Sequence, residues 1–448
     1  MPKYDVIIVG AGPAGIFASL ELSKVEGIKV CLIDKGSDIE KRVKEVPRSL
    51  LTGWGGAGAF SDGKLTLSTH VGGQLTSYIS DEELQRLIEY VDGVYVGFGA
   101  PGKVYGTNED DLSRIARQAT LADLKLIPSA IRHVGTDQWP DLLRRFRDAL
   151  APKIDIITET TASRILVHGG RTEGVETASG DTIEGRFVII APGREGSDWL
   201  LEEARRLDLE TINNPVDIGV RVEIPSPVLE DLTNAIYEPK LIYYTPSFDD
   251  KVRSFCVCPQ GEVVMEYNSG VTTVNGHSYA YKKTNNTNFA LLVSTTFTEP
   301  FKDPITYGRH IASLSNLLSG SVIVQRLGDL KAGRRSTWSR IEHGLVEPTL
   351  KIATPGDLSF VLPYRYLAGI MDMLDAMDRM APGVASRHTL LYGVEVKFYS
   401  SRLRLSPSLE TEIENLFTIG DGAGVTRGVV QASASGVLAA REITRRVK

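Results

Sequence analysis

Tyr4–Gly15 reads YDVIIVGAGPAG, and this stretch decides how the rest of the 448-residue chain is understood. Its first six residues form a short, almost wholly apolar run, the pattern of a parallel strand buried on both faces. Gly10, Gly12 and Gly15 then fill a G-x-G-x-x-G pattern. Gly10 allows a tight turn, Gly12 lets a pyrophosphate approach bare backbone, and Gly15 lets a helix lie close on the strand. Pro13 suits a helix's first turn, where its missing N–H has no partner to lose. Residues 14–24, AGIFASLELSK, carry apolar residues at helical spacing, so the helix would aim free N–H groups and roughly half a positive charge at phosphate. A second strand, KVCLID, ends at Asp34, 19 residues beyond Gly15. There a carboxylate accepts hydrogen bonds from an adenosine ribose, and it would repel a 2′-phosphate. Strand, glycine turn, helix, strand and terminal acid in register predict an α/β, Rossmann-type dinucleotide domain, with NAD or FAD as the ligand.

The whole-chain properties suit a two- or three-domain enzyme. Hydrophobic residues make up 42% and charged residues 24%, with a net charge of −6, which offers a nucleic-acid backbone no electrostatic attraction. No apolar run approaches the roughly 18 residues of a membrane span, and the N-terminal residues run straight into the first strand, so a cytoplasmic location without membrane contact is expected. Cys31, Cys256 and Cys258 do not form a disulfide framework, and neither cysteines nor the seven histidines show metal-ligand spacing.

Residues 416–436, LFTIGDGAGVTRGVVQASASG, distinguish FAD from NAD. A buried strand ends at Gly420–Asp421 and a helix begins near Thr426. The segment resembles the closing signature of the glutathione-reductase-like, two-dinucleotide-binding-domain flavoproteins. That resemblance implies Asp421 on the ribityl chain of FAD. It also implies a helix start formed by Arg427, Gly428, Val429 and Val430, with its positive end at the flavin ring, where charge gathers on reduction. RFVIIAPG, ending Ala191-Pro192-Gly193, resembles the ATG-type motif of the same superfamily. The alternating stretch before it, residues 154–186, predicts a β-meander, and the resemblance places adenine contacts near Ala162.

GAFSDGKL, residues 58–65, imitates a phosphate-binding P-loop, but Leu65 stands where a magnesium-holding hydroxyl is needed and Asp62 lies inside the cradle. Gly53, Gly55, Gly56 and Gly58 suit backbone passing close to a flat ligand. Gly56, Ala57, Gly58, Phe60, Ser61 and Lys64, with Lys35 after the ribose acid, complete the expected cofactor contacts; Phe60 or Trp54 would cover a ring. GGAGAFSDGKL (55–65), RHVGTD (132–137), SFCVCPQGEVV (254–264), VNGHSY (274–279) and LLYGVE (390–395) together resemble a family of FAD-dependent dehydrogenases over nearly the whole chain. The family implies FAD binding and a redox role; non-covalent attachment is assumed. Its members often close with GEGAGYAGG, whereas this chain has GDGAGVTRG, so Arg427 puts a cation where a small residue is usual.

Between residue 215 and about 303, β-branched and aromatic runs predict an antiparallel sheet, flanked by helices around 304–318 and 364–380. The resulting organisation is a discontinuous FAD domain (1–70, 135–215 and 390–448), an insertion near the flavin (71–134), and a mainly β substrate or cap domain (216–389) that would cover the flavin. No second strand–GxGxxG–helix occurs, so electrons would come from the substrate, from transiently bound NAD(P)H or from a redox partner protein. Candidate catalytic groups are His277, read in a turn after Asn275-Gly276, together with Cys256, Cys258, His133 and Arg427. On a regular strand the two thiols would share a face with about 6.6 Å between Cα atoms; their plainer reading is a pair of small buried hydrophobes. Lys331–Arg340, KAGRRSTWSR, is either an anion site or a solvated loop with Trp338 tucked inward.

The expectation is an FAD-dependent oxidoreductase that exchanges hydride or electrons with a small organic substrate. A tRNA-modifying flavoprotein, which would need a basic stripe, and a non-catalytic FAD-binding module are the rival classes.

Overall fold

The computed structural model describes residues 3–45, 52–60, 63–212, 216–268, 270–295, 304–397 and 402–447. By internal packing the chain divides into two units: residues 1–102, 132–214 and 399–448 form the first, and residues 103–131 and 215–398 the second.

In the first unit, β1 (Tyr4–Val9) is followed at once by α1 (Pro13–Leu22), and β2 (Val30–Ile33) returns beside β1 in parallel. The parallel sheet runs β4 (Asp155–Ile157), β2, β1, β7 (Thr182–Ile190), with the short strand Leu416–Thr418 on the other side of β7. Nearly every side chain of β1, β2 and the last four residues of β7 is buried, which explains their lack of polar alternation. β7 is long enough for two tasks. Its start pairs antiparallel with β6 (Arg171–Thr177), which pairs with β5 (Ala162–His168), giving the expected meander. Its later residues pair with β1 from Gly185 opposite Tyr4 to Ile190 opposite Val9.

The C-terminal helix Val429–Val447 packs on α1. Gly436 permits this, since a Cβ there would stand 2.1 Å from the Ala14 carbonyl oxygen. A further helix, α2 (Asp81–Gly97), packs on the same C-terminal helix, and its Tyr95 hydroxyl shares a 3.0 Å hydrogen bond with Ser433. Residues 71–102 therefore belong to the first unit.

The second unit is built on an eight-stranded sheet whose centre is β8 (Val216–Pro225), paired antiparallel over its full length with β13 (Asn286–Thr295). β10 (Lys251–Cys258) and β9 (Lys240–Tyr244) continue beyond β13, and a separate hairpin joins β11 (Glu262–Asn268) to β12 (Val271–His277). Helices Pro304–Ser319 and Tyr364–Met380 match the apolar spacing of the sequence, the second burying Ile370, Met373, Leu374 and Met377. The strand Leu390–Lys397 is buried throughout and pairs with β8, Asp217 opposite Lys397, so residues 390–398 belong here rather than to the cofactor domain. Residues 103–131 also join this unit, through the pairing of Lys125–Ile127 with β9. The boundaries drawn from sequence at 71, 134 and 389 are corrected accordingly, because strand pairing overrides linear adjacency. Among the described residues, no helix is long and apolar enough to cross a membrane.

Candidate functional site

The C-terminal ends of β1, β7 and the strand Leu416–Thr418 lie side by side, the position where open α/β sheets receive ligands. Gly10, at φ +111°, has room for no side chain: a Cβ would stand 2.0 Å from the Ala191 carbonyl oxygen. Gly15 is equally constrained by the Gly10 carbonyl, at 1.9 Å. Gly12 differs. A Cβ there would meet only the Gly56 Cα, at 3.9 Å, so the turn does not need a glycine at this position for its own packing. A Cβ on Gly56 would come within 2.9 Å of Gly12 Cα, and one on Gly58 within 3.1 Å of Pro13 and 3.7 Å of Val429. The two glycine loops thus meet as bare backbone at Gly12 and Gly56, and Gly58 lies against the side chains of Pro13 and Val429. Gly420, at φ +75°, faces Ala14, and a Cβ on Gly422 would press on Pro192 and Gly193.

Asp34 ties these loops together. Its Oδ2 accepts from the Ala11 N–H at 2.7 Å, and its Oδ1 from those of Gly36 at 2.8 Å and Gly53 at 2.9 Å, with only 9% of the residue exposed. A carboxylate offers about four lone-pair sites, so these three donors leave capacity at Oδ2 for one ribose hydroxyl. Thr160 donates its N–H to the Asp34 carbonyl at 2.9 Å, which brings the start of β5, and Ala162 two residues on, to this edge. Lys35 reaches across to Glu195, 3.7 Å away, just beyond Gly193.

α1 has Gly12 as its N-cap and Pro13 as its first residue, with no side-chain cap and no acidic residue in its first turn, so no side chain of its own offsets its positive end. The C-terminal helix begins at Val429, two residues later than Arg427, whose N–H is spent on the Gly72 carbonyl at 2.8 Å. Gly428, Val429 and Val430 therefore present the helix start, and Arg427 precedes it. Asp421 is half-buried, its Oδ1 accepting from the Thr426 hydroxyl at 2.6 Å. Gly420 donates its N–H to Ser435 at 3.1 Å, which fixes the approach of Asp421.

The sequence reading missed Arg42. It is buried on the short helix Ile39–Glu45 and donates to the carbonyls of Trp54, at 2.5 Å, and Gly56, at 3.1 Å. Burial pushes its guanidinium down to about 10, against the opposing pull of Asp34. Its signal was only a cation eight residues after the ribose acid, in an otherwise ordinary charged helix.

Trp54 is not a ring cover. It is fully buried, with its indole N–H on the Leu143 carbonyl at 3.0 Å. The false P-loop contains a short 3₁₀ turn, Gly56–Phe60, and a strand, β3 (Lys64–Leu67), with Lys64 buried. Ser61 and the Phe60 side chain lie outside the described residues. Ala57 sits in that turn, half-buried. The motif containing Gly63 and the RHVGTD motif come together: Val134 donates to the Gly63 carbonyl at 2.8 Å, and a Cβ on Gly63 would strike Gly135. Arg132 is held by Asp92 through two 2.7 Å bonds, which makes it structural, and His133 follows it half-buried.

Of the candidate catalytic groups, His133 and Arg427 belong to the first unit, and Cys256, Cys258 and His277 to the second. His277 ends β12 opposite Glu262, so the turn expected at Asn275-Gly276 is strand instead. Gly276 is required there by packing, since a Cβ would lie 1.8 Å from Arg221. In the cationic segment Arg334 pairs with the buried Asp329 at 2.9 Å and Lys331 with Asp375 at 2.8 Å, while Trp338 is 42% exposed rather than tucked inward.

Residues 3–49 match the model of an FAD binding domain. The first unit is of the FAD-binding type. Residues 215–398 match the model described as FAD-dependent protein, C-terminal domain-like, and residues 369–448 that of glucose inhibited division protein A. The chain is 28% identical to an uncharacterized protein of Clostridium beijerinckii over 98% of its own length and 81% of that protein's. It is 26% identical to the protein FixC of Escherichia coli over 51% of this chain and 45% of FixC. Among solved structures, glycine oxidase from Bacillus cereus aligns at 16% identity and a TM-score of 0.38, covering 99% of this chain and 96% of that one. L-proline dehydrogenase from P. horikoshii aligns at 12% and 0.44, covering 100% and 95%. These structural likenesses carry nothing about substrate.

The residues present fit FAD: bare backbone at Gly12 and Gly56, an uncapped helix start, and spare acceptor capacity on Asp34 and Asp421. Removing the Asp421 carboxylate is expected to weaken flavin retention by about 2 kcal/mol, the value of a charge-assisted hydrogen bond. Lys64→Ala should cost less. Flavin content per protein after gel filtration checks the order, and equal occupancy in both variants would count against Asp421 as a contact.

Proposed function

We propose that the chain is an FAD-dependent oxidoreductase acting on a small organic substrate, with the cofactor held non-covalently by the first unit. The meeting of Gly12 and Gly56 as bare backbone above a helix start without a side-chain cap carries this reading, because it leaves N–H groups and open backbone where a phosphate can approach. When bound, FAD supplies hydride or electron transfer. The chain's own contribution is to bind and orient. Asp34 accepts from the ribose, the amides of α1 face the pyrophosphate, and Asp421 with the amides at Val429 and Val430 holds the other end. Arg42 keeps the second glycine loop in place by fixing two of its carbonyls. A nicotinamide nucleotide that visits transiently, the substrate itself or a partner protein would supply the electrons, since the sequence contains no second dinucleotide turn.

Gly12→Ala tests the assignment. The extra methyl meets nothing closer than 3.9 Å in the protein, so unfolding stability should change by less than about 1 kcal/mol. Flavin affinity should fall at least tenfold, because the pyrophosphate then meets a Cβ. A variant that binds FAD as well as the parent would remove the phosphate from this turn. Anaerobic mixing of the holoprotein with NADH, NADPH and dithionite tests the redox role. Bleaching by dithionite alone, with no acceptor that restores the colour, would favour a binding module over an enzyme.

A further inference from the structure

Cys256 and Cys258 do not stand as a regular strand would place them. The register between β10 and β13 slips from Phe255 opposite Ala290 to Cys258 opposite Asn288, and Cys256 takes a left-handed backbone at φ +47°. For a side chain with a Cβ that conformation is unfavourable, and it persists only where its surroundings impose it. Here the Cys256 N–H donates to Glu238 at 2.9 Å, and Glu238 is itself fixed by Lys240 at 2.7 Å. The bulge brings the two sulfurs to 3.8 Å.

Arg221, wholly buried, lies against both. Its Nη2 is 3.2 Å from Cys258 Sγ and 3.8 Å from Cys256 Sγ, and it donates to the Cys256 carbonyl at 2.6 Å. Asn288 Oδ1 accepts from its Nε at 2.8 Å, and Glu395 lies 3.5 Å from its Nη1. Lys397, 3.1 Å from Glu395 and 3.5 Å from Glu266, and His277, one residue beyond Gly276, are further charged or titratable groups here. Burial alone would push the Arg221 guanidinium down; Glu395 and the two cysteines outweigh it and keep it charged. A cation beside a thiol favours the thiolate, the nucleophilic form. Access is unequal: Cys256 is half-buried and Cys258 fully buried.

We propose that Cys256 and Cys258 form a reactive dithiol that exchanges with small external disulfides, Cys256 attacking and Cys258 resolving, with Arg221 as the positioning cation. The Cys256 thiolate attacks one sulfur of the external disulfide. A mixed disulfide forms and the other half leaves as a thiolate, which takes up a proton. The Cys258 thiolate then attacks the Cys256 sulfur and expels the second half as a thiol. Two protein thiols are oxidised to one disulfide, and one external disulfide is reduced to two thiols. For this the sulfurs must close from 3.8 Å to a bond of about 2.05 Å.

The test is to hold the full-length protein in excess oxidised glutathione, quench with acid, alkylate and map the peptides by mass. Cys256 and Cys258 should disappear together as one linked pair. Cys31, whose thiol burial pushes up to about 12, should stay free. Cys258→Ser should trap glutathione on Cys256, and Cys256→Ser should leave Cys258 unmodified. In Cys258→Ser, the pH midpoint for alkylation of Cys256 should fall below the ordinary thiol value of about 8.5. A midpoint at or above that value removes Arg221 from the mechanism. Thiols that survive the oxidant as a pair, or glutathione on Cys258 in Cys256→Ser, overturn the proposal. Each readout is a mass, independent of flavin content, so failure here leaves the FAD reading standing.

Discussion

Gly10→Ala is expected to destabilise the protein by about 4 kcal/mol, the sum of a strained left-handed residue and a backbone collision. Gly10 adopts φ +111°, and its new methyl would stand 2.0 Å from the oxygen and 2.8 Å from the carbon of the Ala191 carbonyl. Neither side can yield cheaply. The Gly10 N–H is bonded to Ile33 at 2.8 Å and the Ala191 N–H to Val9 at 2.7 Å, so the two strand ends are fixed on both flanks. Against a typical total stability of about 5–15 kcal/mol, such a loss leaves little folded protein at elevated temperature. Urea unfolding of the flavin-free variant measures it; a midpoint close to that of the parent would mean the turn relaxes in a way this packing does not allow. Beside Gly12→Ala, where fold is spared and ligand lost, the pair separates a glycine kept for the chain from one kept for the cofactor.

Asp34→Ala should cost a comparable amount, about 4 kcal/mol, because it leaves the N–H groups of Ala11, Gly36 and Gly53 without their acceptor at a largely buried position. Flavin binding should be lost as well, since the same carboxylate spaces the two glycine loops. Asp34→Asn retains one oxygen acceptor but turns the other into a donor facing an N–H, so about half the damage is expected. Urea midpoints and FAD titration followed by flavin fluorescence report the two losses separately. Unchanged stability in Asp34→Ala would show that water reaches those amides, and the carboxylate would then be no more than a ribose contact.

The glycine turns of the candidate site were legible because their demands are local. Gly10 and Gly15 are needed where a side chain would collide, and their spacing from β1 and from Asp34 is fixed by the geometry of one strand, one turn and one helix. The same holds for Gly420 and Asp421, and for the helices Pro304–Ser319 and Tyr364–Met380, whose apolar period is contained in a few turns. The errors fell where a residue's surroundings come from far along the chain. Trp54 reads as exposed aromatic cover until Leu143 supplies its acceptor 89 residues later. Arg42 gains its meaning only when residues 53–56 fold back on it. The turn expected at Gly276 is strand because that residue pairs with Val263, and the Arg221 side chain occupies the space a Cβ there would need.

The sequence by itself determined the Rossmann-type turn, its acid and the strand-rich middle, since backbone dihedral preference and burial period are properties of short windows. Only the tertiary structure decided that residues 390–398 pair with β8, that Asp34 bridges both glycine loops, and that a bulge sets Cys256 and Cys258 together against Arg221. Those arrangements depend on which strands and side chains pack together across the fold, and no local pattern encodes a partner that lies outside its own window.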